Sequence, residues 1–211
     1  MLYRCAAVAL ALAGCANAGS KAGDDQQVDA PRLDAPMIDA PCVPVTTELL
    51  VNGNFDSTPQ GTGWTQTPAD PAVMLVTSDD GITEDTPTLK AWLGGYPGTA
   101  VDTMSQDLTV PAGTTMMVLT GKYDVATTET GTTVKDTATI KLETPAGQAL
   151  DTIASLDNAH ATATWTALDH TIPVAGLAGQ TVRLMFRSSL DSANNTNFFF
   201  DTLSLQVTHC P

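Results

Sequence analysis

Three histidines, His160, His170 and His209, are the chain's only imidazoles, and none stands in a spacing that catalysis would require. A zinc hydrolase needs two histidines four residues apart with a glutamate beside the first. A serine hydrolase needs its nucleophile in a Gly-x-Ser-x-Gly elbow, and a dithiol site needs Cys-x-x-Cys. None of these occurs in the 211 residues. His170 lies between Leu168 and Ile172 at strand parity and reads as a core or edge residue, not a general base. Glu129 and Asp136, in "ETGTTVKD", could be drawn as the carboxylate pair of a glycosidase. The Thr and Gly around them read instead as a solvated hairpin, so the sequence predicts a protein that is not an enzyme.

Binding is the remaining chemistry. Sugar recognition needs aromatic faces that stack on pyranose rings, with amides, carboxylates or guanidinium groups to pair the hydroxyls. Aromatic residues make up only 5% of the chain, and Trp64, Trp92 and Trp165 all read as buried. Tyr96, which "GGYPG" holds in a loop, is the one aromatic candidate for ligand contact. The net charge of -14 argues against nucleic acid and anionic membrane surfaces, both of which attract basic patches. Acidic residues that are mostly Asp, among abundant Thr, Gly and Asn, fit an extracellular β-protein able to hold Ca²⁺ and equally fit a merely soluble acidic surface.

The N-terminal stretch bears on compartment. "MLYRCAAVALALAGCANAGS" has one cation, Arg4, and then an apolar run too short to span a bilayer, the length of a signal-peptide core. Leu12-Ala13-Gly14-Cys15 resembles the lipobox of bacterial lipoproteins, which implies a signal peptide over 1–14 and a lipid on Cys15. Ala16 favours outer-membrane over inner-membrane residence. The alternative is an ordinary secretory signal cut near Ala18. In "VDAPRLDAPMIDAPC", residues 28 to 42, prolines recur every fifth position, fixing φ and removing donors, while aspartates repel one another. Residues 15–41 therefore read as a disordered, extended Asp-Ala-Pro linker. With Cys5 in the signal and Cys15 lipidated, Cys42 and Cys210 are left to form a disulfide that brackets a module over 42–211.

Within that module short stretches alternate between apolar and polar residues. In "TATIKLET" Ala138, Ile140 and Leu142 share a face, and in "TVRLMFRS" Val182, Leu184 and Phe186 do. Further strands are expected at Glu48–Val51, Ala72–Thr77, Thr88–Leu93, Met104–Val110, Thr115–Val125, Trp165–Val174 and Asn197–Thr208. No helical stripe competes with them, so the fold class is an all-β antiparallel sandwich.

"ELLVNGNFDSTPQGTGW" at the start of the module and "TNFFFDTLSLQV" at its end resemble the opening and closing strands of galactose-binding-like jelly rolls, common among carbohydrate-binding modules. The resemblance covers roughly residues 48–207 and implies a jelly roll with Trp64 and Trp92 in its core. In "FFFDTLSLQV" the hydrophobic parity slips at Asp201-Thr202, the mark of a β-bulge. The resemblance implies a structural calcium there, held by Asp201, Asp56 and Asn54 and tying the first strand to the last. Asp56 stands where that family has Glu, and a bulge cap made by Asp201 alone is the alternative. Two functions follow as expectations: a surface lipoprotein that binds a polysaccharide or another surface polymer, and a structural or adhesive protein whose jelly roll contacts a surface protein. An accessory domain of a hydrolase is a third.

Overall fold

The structure, a computed structural model, describes residues 42–211 apart from residue 80. The expected signal segment 1–14, Cys15 and linker 15–41 lie outside the described residues. Two antiparallel sheets face one another across a single apolar core. The first runs β3 (Val76–Thr77), β4 (Lys90–Gly94), β11 (Thr196–His209), β6 (Thr114–Thr127) and β9 (Thr166–Ile172), with β1 (Val45–Glu48) paired to the far half of β11. The second runs β2 (Thr65–Thr67), β5 (Thr103–Thr109), β10 (Thr181–Ser189), β7 (Thr137–Glu143) and β8 (Ala149–Asp157). This is the all-β sandwich that the alternation predicts.

Period-two side chains make the interior. Val182, Leu184 and Phe186 of β10 and Ala138, Ile140 and Leu142 of β7 meet Phe198, Phe200, Leu205 and Val207 of β11, all of them buried. Trp64 joins them, its ring 5.8 Å from Phe186 and 5.4 Å from Phe55. The switch of inward parity along β11 occurs where the sequence places it. Asp201 pairs with Lys122 and Ser204 with Thr120, so Thr202 and Leu203 together oppose Gly121, and Thr202 takes φ 54°.

β2 was not expected, and β3 keeps only the last two residues of the expected Ala72–Thr77. β1 begins at Val45, three residues earlier than predicted, because what the closing strand pairs with is the polar "VTTE", exposed along its whole length. β8 was not predicted at all. It is an edge strand whose buried side chains, Ile153 and Leu156, are three apart, and register shifts opposite Lys141 and Glu143 erase its alternation.

The expected Cys42–Cys210 disulfide is present and closes the described chain on itself.

Candidate functional site

The opening turn and the closing bulge are joined by hydrogen bonds. Leu203 N donates to Gly53 O at 2.9 Å. A side chain could not stand at Gly53, since a Cβ there would lie 2.0 Å from Leu203 O. Glu48, which sequence reasoning passed over as an ordinary strand residue, is the second clasp. Its Oε1 accepts Leu50 N at 2.7 Å and Leu205 N at 2.9 Å, and its Oε2 accepts Ser204 Oγ at 2.5 Å and Gln206 Nε2 at 2.8 Å.

Asp201 and Asp56 both meet the segment that leads into β4. Asp201, fully buried, accepts Thr86 N at 2.9 Å, Thr86 Oγ1 at 3.1 Å and its neighbour Thr202 N at 2.6 Å. Asp56 Oδ1 accepts Thr88 N and, at 2.9 Å, Leu89 N, while Asn54 Nδ2 donates to Asp56 Oδ2 at 3.0 Å. These are capping contacts, the role considered for Asp201 alone and here extended to Asp56. Calcium takes six to eight oxygens. As arranged, Asn54 offers Asp56 a nitrogen donor, and amides or hydroxyls occupy both carboxylates. Among the described residues no group of three or more His, Cys, Asp or Glu is disposed to hold a metal. The arrangement therefore does not form an oxygen cradle by itself, and calcium at this place stays a proposal.

The other chemistry lies at β4. Ala91 and Leu93 point into the core, which sends Trp92 to the outer face, where it is only partly covered. This corrects the expectation of a core Trp92: parity within "KAWLG" puts it opposite its buried neighbours. Its indole Nε1 donates to Asn197 Oδ1 at 3.0 Å, and its ring lies 5.5 Å from that of Phe199. Gly95, at φ 82°, completes the seat, because a Cβ there would come within 2.5 Å of Asn197 Oδ1 and 3.0 Å of the indole ring. Trp92 is thus held by hydrogen bond, by ring contact and by backbone, and it lines an open, mostly apolar cleft with Tyr96, Met74, Val73, Thr77 and Asp79. Val73 and Met74 are exposed on its rim.

The predicted ligand residue Tyr96 is therefore in a cleft, beside an aromatic ring the sequence had assigned to the core. Burial pushes the Tyr96 phenol up, and the carboxylates of Asp102 and Asp70 act on it in the same direction. Asp102, fully buried, sets this wall. It accepts Gly94 N at 2.6 Å and Ala69 N at 2.8 Å, so one carboxylate ties the Gly94-Gly95-Tyr96 turn to the chain that leads toward Met74.

The outer face of the second sheet carries a groove of different character, lined by Thr65, Thr67, Thr103, Ser105, Asp107, Arg183 and Met185 among others, with no aromatic side chain. Arg183 grips Asp107 through two bonds of 2.6 and 2.9 Å, which hold the Asp107 carboxyl below the ordinary carboxylate range.

The remaining candidates fall outside both places. Trp165 is also not a core residue: it is part-exposed just before β9 and donates to Thr83 O at 2.9 Å. His170 sits on the edge strand β9, 2.8 Å from Asp151 of β8; His160 Nδ1 lies 2.9 Å from Oδ1 of Asp157, and His209 meets Thr47 at 3.3 Å. The loop between Glu129 and Asp136 is exposed over residues 130–135, as expected, but the two carboxylates at its ends are covered. Asp136 is fully buried, accepting Asp191 N at 2.9 Å and Thr196 Oγ1 at 2.7 Å, and Glu129 holds Lys135 at 2.7 Å. Both oxygens of Asp136 thus hold the 191–196 chain in place.

No family model matches the chain, and no curated protein does. Solved structures do. TmCBM61, a module solved in complex with β-1,4-galactotriose, superposes with a TM-score of 0.54 at 13% identity, over 75% of this chain and 97% of that one. The arabinose-bound α-L-arabinofuranosidase MgGH51 gives 0.50 at 16% identity, over 76% of this chain and only 26% of the enzyme. The enzymatically active domain of tailspike protein 4 from bacteriophage CBA120 gives 0.50 at 15% identity, over 75% of this chain and 21% of that one. At these identities the likeness is one of fold. It is shared by a binding module and by parts of larger, catalytically active proteins.

Proposed function

We propose that the protein is a non-catalytic binding module for a polysaccharide, displayed at the outer membrane through a lipidated Cys15, and that the Trp92–Tyr96 cleft takes a sugar ring. The observation that carries this reading is the Trp92 ring, anchored through Asn197, Phe199 and Gly95 so that it lines open space beside Tyr96. An anchored aromatic offers a stacking surface without the entropy loss of ordering it on binding. The fold is one that carries galactotriose in TmCBM61. What this chain carries is argued from its own cleft.

The test is affinity electrophoresis against a panel of soluble polysaccharides, followed by calorimetry on those that retard the protein. Trp92→Ala should weaken binding about tenfold or more, with an unchanged melting temperature as the control for folding. Retention of full affinity by Trp92→Ala would remove the cleft from the reading. The address is tested separately. Cys15→Ala should move the protein from the membrane to the soluble fraction, and continued membrane partitioning would end the lipoprotein proposal.

A further inference from the structure

The lining of the Trp92–Tyr96 cleft has a sign. Among the described residues Asp79 is its one charged lining residue, and no Lys or Arg takes part. Asp79 is anchored through its backbone: its N–H donates to Thr77 Oγ1 at 3.0 Å, and its carbonyl accepts Lys90 Nζ at 2.8 Å. The residue itself is exposed where it lines the cleft.

Lys90 is on the same strand as Trp92, but it cannot serve the cleft as a cation. It is fully buried, its ammonium 3.0 Å from Glu84 Oε1 and 5.9 Å from the centre of the Phe199 ring, so its charge is spent tying Asp79 and Glu84 to β4. Asp70 and Asp102 add negative potential at the Tyr96 end, where both act on the phenol. The chain as a whole carries -14. An anionic sugar would meet two aromatic side chains and carboxylates, with no basic partner among the described lining residues. A neutral sugar would gain stacking and hydroxyl hydrogen bonds to Asp79 and Thr77, but no charge attraction. An ammonium group would gain the aromatic rings of Trp92 and Tyr96 and the charge of Asp79 together.

We infer that this cleft prefers a cationic sugar, a chain of 2-amino sugars with free amines such as β-1,4-linked glucosamine, over its neutral and anionic counterparts. The inference rests on the polysaccharide reading above and specifies the ligand class of the same cleft.

Calorimetry would compare a glucosamine oligomer, the N-acetylglucosamine oligomer of equal length and an oligogalacturonate. The buffer would be at about pH 5.5, where the amine is protonated and an ordinary carboxylate is ionised. The glucosamine oligomer should bind about fivefold tighter than its N-acetylated counterpart, and the margin should shrink as salt is raised. The galacturonate should bind weakest. Asp79→Asn should bring the two amino-sugar oligomers to equal affinity, and Trp92→Ala should weaken both. Equal affinity for the two in the wild type, with loss in Trp92→Ala, would overturn the charge preference and leave the polysaccharide reading standing. A preference that persists in Asp79→Asn, or binding indifferent to Trp92→Ala, would mean general attraction to an acidic surface and would overturn the inference. Failure of every sugar to bind would overturn the inference together with the reading beneath it.

Discussion

Asp201 is a carboxylate with no solvent contact, and its hydrogen bonds do not fully offset that burial. Burial pushes its carboxyl up, against the opposing pull of the amides of Thr86 and Thr202. Asp124 is raised for the same first reason, with Thr162 opposing. A raised acid in the folded state means that the native protein holds the proton more tightly than the unfolded chain does. The contribution is fully present below about pH 4, the ordinary carboxylate value, and is lost as pH rises through the raised folded-state value. The unfolding free energy of wild type minus that of Asp201→Asn should therefore fall as pH is raised from about 4 toward neutrality. Urea titrations of both proteins across that range measure it, and a difference that grows with pH would show that the hydrogen bonds outweigh desolvation. The same two proteins test the calcium proposal. If an ion joins Asp201, Asp56 and Asn54, wild type should melt several degrees higher in excess Ca²⁺ than in EDTA, and Asp201→Asn should lose that increment. Equal melts in the two buffers would confine Asp201 to the capping that its hydrogen bonds already describe.

At the scale of elements, β11 organises the molecule, since β4, β1 and β6 all pair with it and its bulge receives the opening turn. Two glycines let the bulge close, for unequal reasons. A Cβ at Gly53 would strike the Leu203 carbonyl at 2.0 Å, whereas at Gly121 it would meet the flexible end of the Leu203 side chain at 2.6 Å. Backbone cannot step aside as a methyl group can. Gly53→Ala should cost about 1–3 kcal/mol or more, and Gly121→Ala clearly less, read from denaturant midpoints. Reversal of that order would show that the opening turn does not depend on its seat at the bulge.

The bulge itself was legible in the sequence because Phe198 and Phe200 have one parity and Leu203, Leu205 and Val207 the other. Tyr96 was legible as a loop aromatic from its Gly and Pro neighbours. The cleft was not, because it is made by residues from distant segments, Met74 through Tyr96. Parity within "KAWLG" would have turned Trp92 outward, but the family resemblance argued for the core and prevailed. Phe199 has the opposite parity to Phe198 and Phe200 and so lies on the outer face with Trp92. Phe199 is buried from the outside, by the loop at Gly81 and the side chains of Lys90 and Trp92.

Across the whole molecule, the strand next to the disulfide is among the least buried. β1 is exposed along all four residues and pairs with β11 alone. What keeps it in place is that ladder, the Glu48 carboxylate and the Cys42–Cys210 bridge, which spans 168 residues of sequence. Two physically distinct effects of the bridge can then be separated. In the unfolded chain it removes the freedom of a very long loop, about 5 kcal/mol by chain-entropy reckoning. In the native protein it prevents β1 from fraying, an effect local to one edge of one sheet. Reduction, or the paired change Cys42→Ser and Cys210→Ser, should therefore lower the melting temperature by about 10–20 °C for a domain of this size. It should also raise amide exchange in β1 beyond that in the interior of β6 and β10, while the fold survives, because the core between the sheets does not involve either cysteine. Alkylation of the untreated protein should label neither thiol. A bridgeless variant that melts with the wild type would mean that Glu48 and the ladder already hold the chain ends, and that the bridge constrains little that the native hydrogen bonds leave free.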